Sequence, residues 1–196
     1  MVIQSPSPNE REILREEVAG ITYRRHIKNF FQANRFLREE MVRIVGEYSS
    51  LSGNDHFLDI ACGTGLFALA LGREGATGHG VDINRHSIEM ARQNAKTNGI
   101  ENITFKAQPS SEIHPTRYKP AVVIADPPRA GLDRRSRRTI GAMAPERIVY
   151  VSCNPATFGR DCRDFIKEGY ELTTLTMIDM FPGTHHLEVI GKLERK

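Results

Sequence analysis

Downstream of residue 55, short apolar runs alternate with stretches whose apolar positions recur every three or four residues. The runs at 57–61, 77–83, 103–105, 121–125 and 147–152 predict strands. The spacing between them predicts helices over 66–73, 85–98, 133–143 and 155–168. Gly99 suits a helix end, and Pro155 suits a first helical turn. The run 121–125 is apolar throughout, as expected of a strand buried on both faces. Two more strands, 170–179 and 187–193, follow with only a short loop between them, so the last should run antiparallel. Upstream, residues 10 to 50 read as helical and charge-rich. Phe36, Leu37, Met41, Ile44, Val45 and Tyr48 form one apolar face there. The pattern predicts an α/β fold with a seven-stranded, mostly parallel sheet, an antiparallel last strand and helices on both faces. Residues 1–29 are expected to be an N-terminal tail and helical extension, and 30–196 the main domain.

A chain of 196 residues suits one such domain with a single core. Its 39% hydrophobic and 26% charged residues are a soluble globular profile, and no apolar run approaches the ~20 residues of a membrane span. The first nine residues are polar, with Pro6 and Pro8, and lack the pattern of a signal peptide. A cytoplasmic protein without membrane contact is the expectation. Cys62, Cys153 and Cys162 are an odd number at no metal-ligand spacing, which argues against a disulfide framework or a zinc site. His185 and His186 have no acid or Cys at ligand spacing, so no metal is expected. A net charge of +3 permits nucleic-acid binding without requiring it.

In a doubly wound sheet, ligands sit beyond the carboxyl ends of the strands. Four candidate groups fall there. Asp59 and the turn Cys62-Gly63-Thr64-Gly65 follow the first strand, where glycines let the backbone approach a ligand closely. Asp82 ends the second, where an acid can hold both ribose hydroxyls of a nucleoside cofactor. The same turn would serve a nicotinamide dinucleotide, although no third glycine stands at the helix start. Asp126-Pro127-Pro128-Arg129 ends the fourth strand, with two prolines stiffening the loop. Cys153 follows the fifth strand and precedes a helix, whose positive end should favour a nucleophilic thiolate. Near the C-terminus, Glu188 starts an apolar strand, where partial burial would raise its pKa toward that of a useful base.

The order of strands resembles that of the Rossmann-like class I S-adenosylmethionine-dependent methyltransferases. More specifically, Phe30-Phe31-Gln32-Ala33-Asn34, Asp126-Pro127-Pro128-Arg129, the run 150–157, Arg160-Asp161 and the segment from Asp179 to Glu188 resemble the RNA uracil-5-methyltransferases over residues 30–193. Members make 5-methyluridine in transfer or ribosomal RNA. The resemblance implies Cys153 as nucleophile and Glu188 as general base. It implies Gln32, Asp82 and Asp126 as contacts to S-adenosylmethionine, beside Asp59, Gly63 and Gly65. Gln32 rests on the resemblance alone. Ala61 and Leu66 depart from the family pattern, which often carries an aromatic ring and an Asn there. Many members also carry an N-terminal RNA-binding barrel that nothing here resembles. The chain is therefore expected to be a minimal enzyme, a catalytic domain, or a subunit with an RNA-binding partner. Basic residues beside the reactive end would then hold phosphates: Arg129, Arg134, Arg135, Arg137 and Arg138, with His186 facing RNA and Arg24, Arg25 and Lys28 as a second group. Competing readings are a methyltransferase of this fold acting on another base position or a small molecule, and a non-catalytic RNA-binding subunit.

Overall fold

The computed structural model describes residues 12–32, 34–52, 55–180, 182–184 and 187–196. The chain opens with a hairpin, β1 (Ile13–Val18) and β2 (Ile21–His26), followed by helix α1 (Arg38–Ser49). An alternating series comes next: β3 (His56–Ile60), α2 (Leu66–Arg73), β4 (Thr77–Asp82), α3 (Arg85–Thr97), β5 (Ile103–Ala107), β6 (Val122–Ala125), α4 (Arg134–Met143), β7 (Arg147–Ser152) and α5 (Pro155–Lys167). Strands β8 (Tyr170–Ile178) and β9 (Glu188–Arg195) close it. Seven strands form one sheet in the order β5-β4-β3-β6-β7-β9-β8. The first five pair in parallel, and β9 runs antiparallel between β7 and β8. From β3 the chain winds outward to β4 and β5, then returns to β6 on the other side. The sheet therefore has its switch point between β3 and β6.

Each face of the sheet carries its own core. Helices α1, α2 and α3 cover one with Phe57, Leu69, Ile88 and Ile124 between them. Helices α4 and α5 cover the other over Leu58, Val123, Ile148 and Phe165. Every residue of β6 is buried, as its continuous apolar run requires. Helix starts are capped by side chains: Asn84 accepts from the backbone N–H groups of His86 and Ser87, Asp133 from Ser136, and Asn154 from Ala156. Among the described residues, no helix is long and apolar enough to cross a membrane.

The N-terminal segment differs from its expectation. Residues 13–26 form a β-hairpin rather than a helical extension. Ala19 and Gly20 take φ of 50° and 70°, the left-handed pair that a two-residue hairpin turn needs. Val18, Ile21 and Tyr23 then point into the core. The hairpin docks on α3 through two asparagines one turn apart. Asn98 accepts from the Thr22 N–H (3.0 Å) and donates to its carbonyl (2.8 Å). Asn94 does the same at Arg24 (2.8 and 3.1 Å) and also donates to the Thr64 carbonyl at 3.2 Å. Phe36 is no part of the apolar face of α1, which begins only at Arg38. Its ring is 78% exposed, under the Arg35 guanidinium. Met41, Ile44 and Val45 are buried as the spacing predicts.

Candidate active site

The carboxyl ends of β3, β4, β6 and β7 converge on one cleft of about 640 Å³, a size suited to a small-molecule ligand. Gly63, Asp82, Asp126, Arg129 and Cys153 line it from those ends, and Glu188 from the start of β9. The segment between β2 and α1 supplies Phe30 and Gln32 as a further wall.

Gly63 sits in the turn after β3 at φ +54°, and a side chain there would project into open space rather than into protein. The backbone is thus bare where a ligand would lie. The Gly63 N–H donates to Asp82 Oδ2 at 2.9 Å, while Asp82 Oδ1 accepts from the Asn84 N–H at 2.8 Å. Those two bonds hold the carboxylate at the rim. Gly65 has another role. It begins α2 at φ +94°, and a Cβ there would meet Leu69 and Phe105 at 3.1 and 3.2 Å. It supports the turn from below and does not line the cleft. Asp59 lies beneath as well, fully buried, with Oδ2 accepting from the Ala68 N–H at 3.1 Å and Oδ1 without a partner among the described residues. Leu66 is a core side chain. Ala61 lines the cleft in a left-handed conformation, φ 60°.

Burial raises the acids of this region together. Asp126 is pushed up to about 7 by burial, against the hydrogen bond donated by Gln32 Nε2 to its Oδ2 at 3.0 Å. Glu188 is 3% exposed and is pushed up to about 8 by burial and by Asp126. Asp59 lies well above the usual carboxylate range through burial and Asp126. The Cys153 thiol is raised by burial, then by Glu188 and Asp126, against Arg129. This reverses the expectation of a thiolate favoured at rest by the start of α5. Desolvation, and after it two neighbouring buried carboxyls, oppose the partial positive charge at the start of α5. A cleft lined by two such acids, Asp126 and Glu188, with the Asp82 carboxylate at its rim and the unpartnered Asp59 oxygen beneath it, suits a cationic nucleoside; the residues present fit S-adenosylmethionine.

A web of hydrogen bonds ties the Asp126 loop to α5. The Arg129 carbonyl accepts from Asn154 Nδ2 and Thr157 Oγ1, both at 3.2 Å. Arg160 donates to the Ala130 carbonyl at 2.9 Å. The fully buried Asp161 accepts from the Leu132 N–H (2.8 Å), the Tyr150 hydroxyl (2.6 Å), Arg137 (3.0 Å) and Arg160 (2.8 Å).

Of the residues that the sequence assigns to the site, the structure brings Gln32, Gly63, Asp82, Asp126, Arg129, Cys153 and Glu188 together in one cleft, whereas Asp59 and Gly65 do not line it. Arg134, Arg135 and Arg138 lie on the exposed face of α4 and do not line it. Arg137 leaves the basic group altogether: it is buried, paired with Asp161 and Asp164. Arg25 pairs with Glu16. His186 lies outside the described residues. Reasoning missed Asn84 and Ser87, which line the cleft from the start of α3; an Asn two residues past a strand-end acid was the available signal. Among the described residues, no cluster of three or more His, Cys, Asp or Glu could hold a metal ion.

Residues 51–126 match a family model described as a methyltransferase domain, and 106–196 match one described as tRNA (uracil-5-)-methyltransferase. An uncharacterized RNA methyltransferase of Caldanaerobacter subterraneus subsp. tengcongensis is 35% identical over 186 residues, covering 94% of this chain and 41% of that protein. One of Clostridium acetobutylicum is 39% identical over 172 residues, covering 86% and 37%. Among solved structures, Pyrococcus abyssi tRNA (uracil-54, C5)-methyltransferase in complex with S-adenosyl-L-homocysteine superposes with a TM-score of 0.82 at 37% identity, covering 93% of this chain and 44% of that one. Geobacter metallireducens precorrin-6y C5,15-methyltransferase shares the fold alone, with a TM-score of 0.68 at 13% identity over 80% and 89% of the two chains. This chain spans about two fifths of the length of the curated relatives it matches.

Proposed function

We propose that this chain, whose methyltransferase domain is similar to the RNA uracil-5-methyltransferases, forms 5-methyluridine in transfer or ribosomal RNA by covalent catalysis from Cys153. The observation that carries this reading is the meeting of Cys153 and Glu188 with Gln32, Gly63, Asp82 and Asp126 in one cleft. Asp82 would hold the ribose hydroxyls of the cofactor, the bare turn at Gly63 would let it approach the backbone, and Gln32 and Asp126 would hold it from the opposite wall. Asp59 and Gly65 shape this site from beneath. Residues 30–196 form the catalytic part, with the hairpin docked on it.

S-adenosylmethionine, when bound, supplies an electrophilic methyl group and a positive charge that favours the ionised forms of the acids around it. The Cys153 thiolate adds to carbon 6 of the uracil, and the electron pair of the 5,6 double bond moves onto the carbonyl at carbon 4. The resulting enolate makes carbon 5 nucleophilic toward the methyl group that bound S-adenosylmethionine would supply, its methyl–sulfur bond breaking to leave S-adenosyl-L-homocysteine. Glu188 then removes the proton left on carbon 5. That electron pair restores the double bond and expels the Cys153 thiolate. A base so placed contributes ~10²–10⁴-fold. Arg129 stands beside the reacting base, and the exposed Arg134 and Arg138 hold RNA phosphates.

RNA containing 5-fluorouridine tests the reading, because fluorine at carbon 5 cannot leave as a proton. A stable protein–RNA adduct that needs S-adenosylmethionine and vanishes in Cys153→Ala is expected. No adduct, with S-adenosyl-L-homocysteine still bound, would move the activity to another target. Neither adduct nor binding would leave the domain non-catalytic.

A further inference from the structure

Gln32 has no helix or strand to hold it. It lies in the segment between β2 and α1, outside regular secondary structure, yet its carboxamide meets Asp126 across the cleft. Something must fix that segment, and the surrounding contacts lead to one side chain. Arg38, the first residue of α1, is 5% exposed. Its Nε donates to the Gln32 backbone carbonyl at 2.5 Å. Its guanidinium lies over the Phe31 ring, 4.7 Å from the centroid. A second nitrogen donates to Glu16 of β1 at 2.8 Å, and Glu16 also receives Arg25 at 3.1 Å. Arg25 approaches the same Phe31 ring at 5.6 Å. One planar fork thus grips the residue before the carboxamide, the carbonyl of the residue that bears it, and the hairpin.

We propose that Arg38 is a positioning residue, which locks Phe31 and the Gln32 backbone against the Glu16 of the hairpin so that the Gln32 carboxamide is held on Asp126 in the cofactor cleft. The inference rests on reading Gln32 and Asp126 as cofactor-side groups. Arg38 itself does not line the cleft. A methionine there would fill the volume over Phe31 and lose the polar grip. A lysine would keep a charge beside Glu16, but its single ammonium on a flexible stem cannot reproduce the planar fork that spans both partners.

The test is calorimetric binding of S-adenosyl-L-homocysteine to wild type, Arg38→Met, Arg38→Lys, Gln32→Ala and the Arg38→Met/Gln32→Ala double variant, with melting curves for each. Both single losses at these positions should weaken binding about tenfold, the worth of roughly one hydrogen bond. The double variant should be no weaker than Gln32→Ala alone, because Arg38 acts through that side chain. Loss of the Gln32 bond also removes what holds Asp126 down against burial, in a cleft it shares with Glu188 and Cys153. The pH at which binding is half-maximal should therefore move upward, and by the same amount, in Arg38→Met and Gln32→Ala. A purely structural role would lower the melting temperature and leave that midpoint in place. Should Arg38→Met fail to fold, Arg38→Lys carries the same comparison. Additive losses in the double variant, an unmoved pH midpoint, or wild-type affinity in Arg38→Met would overturn the inference while leaving the cofactor reading intact. A wild-type protein that does not bind the ligand would overturn both.

Discussion

Replacing Glu188 by Gln should flatten the pH dependence of thermal stability. In the fold this carboxyl keeps its proton to about pH 8, whereas its ordinary value is 4.5. Between those limits the folded state holds a proton that the unfolded chain has released, so stability falls as pH rises. From pH 6 to pH 8 the loss from this group integrates to about 2 kcal/mol, at about 1.4 kcal/mol per pH unit. For a chain of this size that corresponds to about 4–8 °C in melting temperature. Asp126, pushed up to about 7 by burial against the Gln32 hydrogen bond, adds a slope of its own to both proteins. The difference between wild type and Glu188→Gln therefore reports Glu188 together with its coupling to Asp126. Differential scanning fluorimetry in matched-ionic-strength buffers from pH 6 to 9 measures it. Parallel curves for the two proteins would refute the reasoning, since they would mean that residue 188 is already ionised near neutrality. The same protonation has a kinetic face: a base that rests neutral at pH 7 makes proton removal faster as pH rises toward 9.

Three further outcomes follow from the contacts. Asp161→Asn removes the negative charge and one of the two acceptor oxygens that serve Arg137, Arg160, Tyr150 and the Leu132 N–H; urea denaturation should show a loss of about 3–5 kcal/mol. Asn94→Ala breaks three hydrogen bonds of a fully buried amide and should cost about 3 kcal/mol, with limited proteolysis cutting first in the hairpin. Arg134→Gln with Arg138→Gln should weaken RNA binding at low salt and flatten its salt dependence by up to about two phosphate contacts, leaving binding of S-adenosyl-L-homocysteine unchanged.

The sheet was legible in the sequence because its signals are local. Helix α2 and strand β7 fall at their predicted bounds; an apolar run between two turns has few other uses in an α/β chain. The candidate site was legible for the same reason, since strand ends bring Asp82, Asp126 and Cys153 to one edge whatever the packing. The hairpin was misread because the charges around Ile13 and Leu14 mask a period of two, while the decisive signal was Gly20 before Ile21-Thr22-Tyr23. The state of Cys153 was misread because it depends on Glu188, 35 positions later, and on Asp126. No local rule reports that two carboxyls and a thiol share one desolvated space.

The two asparagines that dock the hairpin have an effect on what the protein avoids. A free strand edge is a template for another chain, and a two-stranded sheet has two such edges. At Thr22 and Arg24 the outward N–H and C=O groups of β2 are already taken, by side-chain amides that present a donor and an acceptor as a neighbouring strand would. Helix α3 thus imitates the missing strand without offering a further edge of its own. Sheet growth from the β2 side therefore ends at a helix, and that edge cannot recruit a strand of a second molecule.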